Sequence, residues 1–371
     1  MRKLFFIVLL LSFCVLSGSL FASSVRVATL GAIGVPTTLS GTTCCYHTVV
    51  STGAYHYVDD SNIFYNPVYL NNIPKNQANY EEGSGGFIAS LPERGIKYGV
   101  NYGRTDQMFL DSSATANFET AVTVKPLDLQ LATTLRGVEV GAGLTFVDVS
   151  VADGTTQEKI SGVKVNLGAK FALADTWFSY RLINKMEDPG DAAQSKYEDK
   201  FSFDLGAQRK VGVFNQYLVL SRRSWEQTAV VGTDNVVTKN AHWDFNIGLG
   251  TTTEDSKIGY KIIYGAGVRY ITGKYGTASV SGIFVPLNTG LEYTITPWFT
   301  LRTGAVYNLY GYTKVGDAVT KSNTTNGPNI GGTFKFGSAN FDFLYAQGFS
   351  QDKGSNDGLT KIGKIAITYD W

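Results

Sequence analysis

Cysteine, histidine and methionine are scarce, at three residues each in 371, and proline contributes only nine. Each shortage excludes something. His47, His56 and His242 stand at no metal-ligand spacing and in no nucleophile motif, so no metal, cofactor or hydrolytic centre is legible. The chain is expected not to be an enzyme and to need no cofactor. Cys14 lies in an apolar leader, which leaves only the adjacent Cys44 and Cys45, too few and too close for a disulfide framework. That pair could be a vicinal disulfide, two free thiols or partners of another chain, and no role is assigned to it. An excess of one charge is missing too: Lys and Arg number 32 against 31 Asp and Glu, with no basic run suited to a phosphate backbone. Nucleic acid is not an expected partner.

Long apolar runs are the last absence. The one that exists, Leu4 to Leu16, follows Arg2 and Lys3 and is interrupted by Ser12, the pattern of a secretory signal. Cleavage is expected near Ala22 to Ser24, so residues 1–24 are read as a signal peptide. Phe13 before Cys14 argues against a lipoprotein signal. Downstream, nothing approaches the ~18 consecutive apolar residues of a spanning helix.

What is present is aromatic and glycine-rich: 22 Phe, 21 Tyr, 5 Trp and 41 Gly, a strand and turn composition. From about residue 94 onward, two-residue alternation recurs between clusters of Gly, Asp, Asn, Ser and Thr. Val163, Val165, Leu167, Ala169, Phe171 and Leu173 share one face, with Lys164, Asn166, Gly168 and Lys170 on the other. Ala241, Trp243, Phe245, Ile247 and Leu249 oppose His242, Asp244, Asn246 and Gly248 in the same way. Many of these segments exceed the ~5 to 6 residues of soluble strands and fit the ~9 to 11 of tilted membrane strands. Aromatics gather toward strand ends, at Tyr102, Trp177, Tyr180, Trp225, Tyr270, Trp298, Tyr310, Tyr312 and Trp371, as an interfacial girdle requires. The final strand, with Ile365, Ile367, Tyr369 and Trp371 on one face, resembles the assembly signal of outer-membrane barrels, which implies recognition by the outer-membrane assembly machinery.

The fold class expected is therefore all-β: a transmembrane antiparallel β-barrel in the bacterial outer membrane. Alternating short and long connections close on fourteen strands, roughly 94–104, 117–125, 138–151, 160–173, 175–184, 200–210, 213–224, 240–250, 258–271, 278–296, 298–312, 328–337, 339–350 and 360–371. Leu127 to Leu135 is read as part of a turn and Gly85 to Leu91 as a further strand candidate; if both pair, the count is sixteen.

Residues 25–82 alternate little and are set apart from the barrel, assigned to 83–371. Such a segment lies in the periplasm or fills the lumen, and its aromatic content argues against disorder. Ala28-Thr29-Leu30-Gly31-Ala32 and Asp59-Asp60-Ser61-Asn62-Ile63-Phe64-Tyr65-Asn66-Pro67-Val68-Tyr69-Leu70 resemble the N-terminal pattern of FadL-type hydrocarbon and fatty-acid transport barrels and of PorV-like proteins. The resemblance implies a small hatch plugging a 14-stranded barrel, with Asn66 and Pro67 inside it. Val68 stands where that pattern has Ala, and an insertion bearing Cys44-Cys45 separates its halves. Gly290-Leu291-Glu292-Tyr293 through Pro297-Trp298-Phe299-Thr300-Leu301-Arg302 resembles a hairpin found across many outer-membrane barrels.

With the apolar face toward lipid, the inner face carries Lys97, Lys164, Lys170, Lys261, Arg269, Arg302 and Lys364 against Glu139, Asp204, Asp244, Glu292, Asp342 and Asp370, and also His242. Seven against six makes no single-signed ring of the kind that selects ions. Two functions fit: a porin-like outer-membrane channel passing small solutes, hydrophobic ones included, by passive diffusion, or a sealed barrel that presents external loops or binds a partner complex.

Overall fold

The computed structural model describes residues 37–39, 47–49, 55, 60–81, 83–104, 125–153, 156–187, 196–231, 234–321, 325–346 and 362–371. The signal peptide and Cys44-Cys45 lie outside them. Thr37–Leu39 and His47–Val49 pair with each other and stand apart from the main sheet.

That sheet is a closed antiparallel barrel of sixteen strands. In chain order they are β1 Gln77–Glu81, β2 Ser84–Leu91, β3 Ile96–Tyr102, β4 Leu127–Leu135, β5 Val138–Asp153, β6 Thr156–Lys170 and β7 Asp175–Glu187. Next come β8, in two pieces Lys196–Asp199 and Ser202–Val211, then β9 Phe214–Val231, β10 Asp234–Asp255, β11 Tyr260–Tyr275 and β12 Ala278–Thr296. The wall ends with β13 Phe299–Val315, β14 in two pieces Ala318–Lys321 and Thr325–Phe336, β15 Ala339–Ala346 and β16 Ile362–Asp370. Each strand pairs with its sequence neighbour, and β16 closes on β1 with Asp370 opposite Gln77 and Ala366 opposite Glu81. Closure leaves no edge, so every wall strand can satisfy its backbone without water or a staple.

Several boundaries differ from the alternation. Leu127 to Leu135 is a wall strand, not a turn; Gly85 to Leu91, the further strand candidate, pairs into the wall as expected, and the count is the sixteen given for the case in which both pair. β3 pairs directly with β4, Tyr102 opposite Leu127, so the strand expected at 117–125 has no place between them; residues 117–124 lie outside the described set. β1 falls within the segment set apart as 25–82. The wall is sixteen-stranded and departs from the fourteen that the FadL-type resemblance implies. The connections expected at 152–159 and 225–239 are instead mostly ladder, because β5 and β6 pair as far out as Asp153 and Thr156, and β9 and β10 as far as Val231 and Asp234. Polar residues hold these extensions as well as apolar ones do, since the pairing is between backbones. Apolar alternation detects only the part of a strand that faces lipid.

One rim carries tight turns. Arg136 and Gly137 both have positive φ, 52° and 84°, the paired left-handed geometry of a type I′ hairpin. At mid-wall, Pro286 cannot donate to the ladder, and a β-bulge falls between Val285 and Pro286.

The outer face is apolar, with Leu144, Phe146, Leu167, Leu205, Leu218, Phe245, Ile247, Leu249, Val268 and Leu309 exposed. Two aromatic bands bound it. Near the tight-turn rim, Phe299 stacks on Phe334 at 4.8 Å, and Trp298, Phe336, Phe341, Tyr369 and Trp371 join it. Toward the other rim, Tyr180, Phe201, Phe203 and Trp243 touch in series, from 5.4 to 5.9 Å apart. Phe203 is eight steps along β8 from Val211 at the turn. At ~3.3 Å per residue and a tilt of ~40° that is roughly 20 Å of height, close to the ~25 Å apolar band of such barrels. Trp177 and Trp225, expected in the girdle, are instead buried inside, at 2% and 4% exposure. Trp177 fits because Gly206 faces it on β8; a Cβ there would come within 2.0 Å of its ring.

Candidate functional site

The interior is built in three levels. Nearest the tight-turn rim, residues 60–73 run along the inner wall as two 3-10 turns, Asp60–Phe64 and Pro67–Asn72. The Asn66-Pro67 step starts the second turn. Asn66 caps it by accepting from the Val68 amide at 3.3 Å, and Pro67 supplies a preset φ where no donor is needed. Both residues are buried, with Val68, Tyr69 and Leu70.

Glycines on β5 and β6 make room for this turn. A Cβ on Gly141 would stand 2.4 Å from the Val68 nitrogen and 2.5 Å from the Pro67 carbonyl carbon, and one on Gly168 would stand 1.9 Å from Asn66 Oδ1. The backbone of the turn therefore rests directly on the wall. Polar contacts hold it at four further points. Lys97 donates to the carbonyls of Asn71, at 3.2 Å, and Ile73. Gln130 donates to the Ile63 carbonyl at 3.1 Å, and the Arg104 guanidinium lies 4.2 Å over the Phe64 ring. Tyr69 reaches the two next strands of the wall, its hydroxyl 3.0 Å from Asp175 Oδ2 on β7 and 3.2 Å from Gln208 Oε1 on β8. Burial, and then the neighbouring Asp175 carboxylate, push the Tyr69 phenol well above its usual range. Tyr55 and Tyr65 complete the packing against Trp177, at 5.7 and 4.8 Å.

Paired charges line the wall both beside this level and above it: Glu139 and Lys170 lie nearer the tight turns than Gly141 and Gly168, Arg302 and Asp342 lie about level with them, and the other pairs lie farther up the wall. Arg302 bridges Glu292 at 3.0 Å and Asp342 at 2.8 Å, and Thr333 also donates to Asp342. Arg269 chelates Asp244 through Nε at 2.9 and 3.0 Å and through its terminal nitrogen. Asp204 accepts from Ser221 at 2.5 Å and Arg223 at 2.7 Å. Arg181 meets Asp199 at 3.2 Å, and Arg104 grips Asp128 bidentately at 2.8 and 2.9 Å. Lys170 pairs with Glu139 at 3.2 Å.

The third level, toward the long-strand rim, holds two apolar clusters set among buried polar groups, with Asp199 and Asn240 the ladder partners of Trp225. Val147, Ile160, Met186, Tyr197 and Trp225 form one buried cluster with Tyr275 against it, and Ile271, Val280 and Phe284 form another that shares Tyr275. His242 sits beneath, its Nδ1 3.4 Å from the Tyr275 hydroxyl and its ring edge-on to Trp225. Among the described residues no group of three His, Cys, Asp or Glu side chains could hold a metal.

The structure brings Arg269 and Asp244 together, joins Glu292, Arg302 and Asp342, and joins Lys170 with Glu139. Lys164 and Lys261 are half-buried on the inner wall, Lys97 on β3 donates to the turn, and Asp370 lies 3.9 Å from Lys75 at the rim. The side-chain placement of Lys364 is outside the described set. Sequence reasoning missed Arg104, Asp128, Arg181, Arg223, Tyr69 and the glycine cradle. A legible trace existed for Asp128 and Gln130, which alternate with Leu127, Leu129 and Leu131.

No family model and no curated protein matches the chain. Among solved structures it is similar to in-vitro folded OmpT, an outer membrane protein of Vibrio cholerae, at 9% identity with a TM-score of 0.30, covering 80% of this chain and 96% of that one. The trimer form of the same protein matches at 12% identity with a TM-score of 0.28 over the same shares. The barrel assignment rests on the chain's own closed ladder, not on these scores.

Proposed function

We propose that this chain is an outer-membrane diffusion barrel for small, apolar or amphipathic solutes, gated by its N-terminal segment docked in the lumen. The observation that carries the reading is the order of surfaces along the inner wall. A water-filled porin lines its lumen with polar side chains. Here the half of the lumen toward the long-strand rim carries the apolar cluster of Val147, Ile160, Met186, Tyr197 and Trp225 and its neighbour Ile271, Val280 and Phe284. A solute entering from outside meets the apolar clusters interleaved with Arg181–Asp199, then the Arg269–Asp244 and Arg223–Asp204 pairs, then the docked turn, which shares its height with the Arg302 and Lys170 pairs. Apolar enclosure with a few placed polar groups is the general character of small-molecule sites. Asn101, Asn166 and Asn308 each bury a side-chain oxygen that has no hydrogen-bond partner among the described residues, as groups that use water do.

The turn is seated by backbone contact with Gly141 and by three kinds of polar latch, so the wall does not need it: wall hydrogen bonds run between strands. Removing residues 25–74 should leave an assembled barrel and raise its conductance in planar bilayers severalfold. Unchanged conductance would remove the gate and favour a sealed anchoring barrel, in which the paired charges serve only to brace the wall.

A further inference from the structure

The outer face of β6 to β11, immediately beyond the aromatic band of Phe201, Phe203 and Trp243, carries a dense charge network. The register places it row by row. Lys159 lies opposite Glu187, which lies opposite Lys196; Lys185 lies opposite Glu198, which lies opposite Glu226, and Glu226 opposite Lys239. The next described rows hold Lys274 opposite Ala241, then Arg222 between Phe203 and Trp243. Three glutamates tie most of the lysines together. Glu198 touches Lys185, Lys196 and Lys200 at 3.6, 3.8 and 3.2 Å; Glu226 touches Lys200 and Lys239 at 3.2 and 3.5 Å; Glu187 touches Lys196 at 3.1 Å.

The balance is positive. Among the described residues, Lys159, Lys185, Lys196, Lys200, Arg222, Lys239 and Lys274 are seven cations against Glu187, Glu198 and Glu226, with Asp148 on β5 at the flank. Lys159, Arg222 and Lys274 have no carboxylate partner among the described residues. Arg222 instead lies 5.1 Å from the Trp243 ring, which fixes its guanidinium at the height of the aromatic band. Trp and Tyr mark headgroup level, and basic side chains at that level on a lipid-facing wall meet headgroups, not solvent or substrate. A guanidinium held over an indole still has N–H groups to offer a planar or tetrahedral oxyanion.

We infer that this patch binds the phosphate groups of the membrane lipids on the outward side of the barrel, with Arg222, Lys159 and Lys274 as the direct contacts and the glutamate-tied lysines as a positively charged frame. The inference rests on the membrane reading above. Each basic residue near an anionic surface contributes about fivefold in affinity, the equivalent of ~1 kcal/mol. Losing three contacts should therefore remove most of a selectivity.

The test uses the full mature chain in phosphatidylcholine bilayers doped with spin-labelled phosphatidic acid or spin-labelled phosphatidylcholine. The fraction of immobilised lipid gives a relative association constant. Phosphatidic acid should be preferred at least about threefold, the preference should fall close to one in the Arg222→Gln, Lys159→Gln, Lys274→Gln triple variant, and it should survive Lys257→Gln and Lys335→Gln near the tight-turn rim. Equal association of both lipids with a barrel that stays folded in detergent until heated, as a heat-dependent gel-mobility shift would report, would overturn the patch while leaving the membrane reading intact. A preference that survives the triple variant would overturn it too. Failure to insert into any bilayer would overturn both.

Discussion

Glycine within a strand is ordinarily a weak point, and replacing it with alanine stabilises by roughly 0.5 to 1 kcal/mol. Gly141 should behave in the opposite sense. Its neighbours on the same inner face make the comparison internal: a Cβ at 141 meets the Val68 nitrogen at 2.4 Å and the Pro67 carbonyl carbon at 2.5 Å, whereas one at Gly143 meets only the Pro67 ring carbon at 3.3 Å and Asn166 beyond 3.4 Å. Backbone cannot rotate out of the way, while a ring carbon can give by a few tenths of an ångström. Gly141→Ala should therefore cost about 1 to 3 kcal/mol of docking, the usual penalty for overpacking. That is about a 5- to 150-fold rise in the undocked fraction. Gly143→Ala should cost less than about 1 kcal/mol and leave docking intact. The assays are single-channel conductance and the rate of trypsin cleavage after Lys75, both expected to rise for the first variant and not for the second. The heat-dependent gel shift should be unchanged in both, because the added methyl faces the turn and leaves the ladder alone. Equal behaviour of the two variants, or loss of the barrel itself in Gly141→Ala, would refute the cradle.

Tyr69→Phe removes two hydrogen bonds and should weaken docking by about 1 to 2 kcal/mol, read as a several-fold increase in the same cleavage rate. The phenol's ionisation is raised in the docked state, so the latch is fully present below the ordinary tyrosine value of ~10 and is lost as pH climbs beyond it; wild-type cleavage should be flat from pH 7 to about 9.5 and rise above that, and the Tyr69→Phe variant should lack this alkaline rise. Asp244→Leu leaves Arg269 buried without its counter-ion and should lower the temperature of the gel shift, at a cost of about 3 to 5 kcal/mol, whereas Asp244→Leu with Arg269→Met should recover much of it.

The legible and illegible parts of the molecule divide on physical grounds. Strands such as β6 and β10 announce themselves because lipid on one side and lumen on the other impose a two-residue period on Val163 to Leu173 and Ala241 to Leu249. β1 is five residues long and supplies too few apolar side chains to make the period visible, while β2, with Gly85 and Gly86 at its start, shows only as a strand candidate from Phe87 onward. β4 does show it, at Leu127, Leu129 and Leu131, but its tight turn to β5 at Arg136-Gly137 merges two strands into one apparent turn region. Inner-face charges could be named from their place in the alternation, yet their pairing could not. Arg302 and Asp342 lie forty residues apart and meet only because β13, β14 and β15 are adjacent. Trp177 and Trp225 looked like girdle residues, since nothing local reveals that a facing Gly206, or a shared inner cluster, gives a tryptophan room inside. Asn66 and Pro67 are marked in the sequence by resemblance alone; the glycines that receive them lie some seventy to a hundred residues away on strands whose function is otherwise to be wall.

The central claim is that the apolar face of this barrel meets lipid and the alternate face does not. Single cysteines carried through β10 from Asp244 to Leu249, in a chain with Cys44 and Cys45 replaced by serine and reconstituted in bilayers, test it directly when spin-labelled and probed with oxygen and a water-soluble nickel chelate. Phe245→Cys, Ile247→Cys and Leu249→Cys should be relaxed by oxygen and shielded from nickel, with the reverse ordering at Asn246→Cys and Gly248→Cys, giving a period of two. Accessibility that lacks that period, or nickel reaching positions 245, 247 and 249 as readily as 246 and 248, would contradict a membrane-embedded barrel.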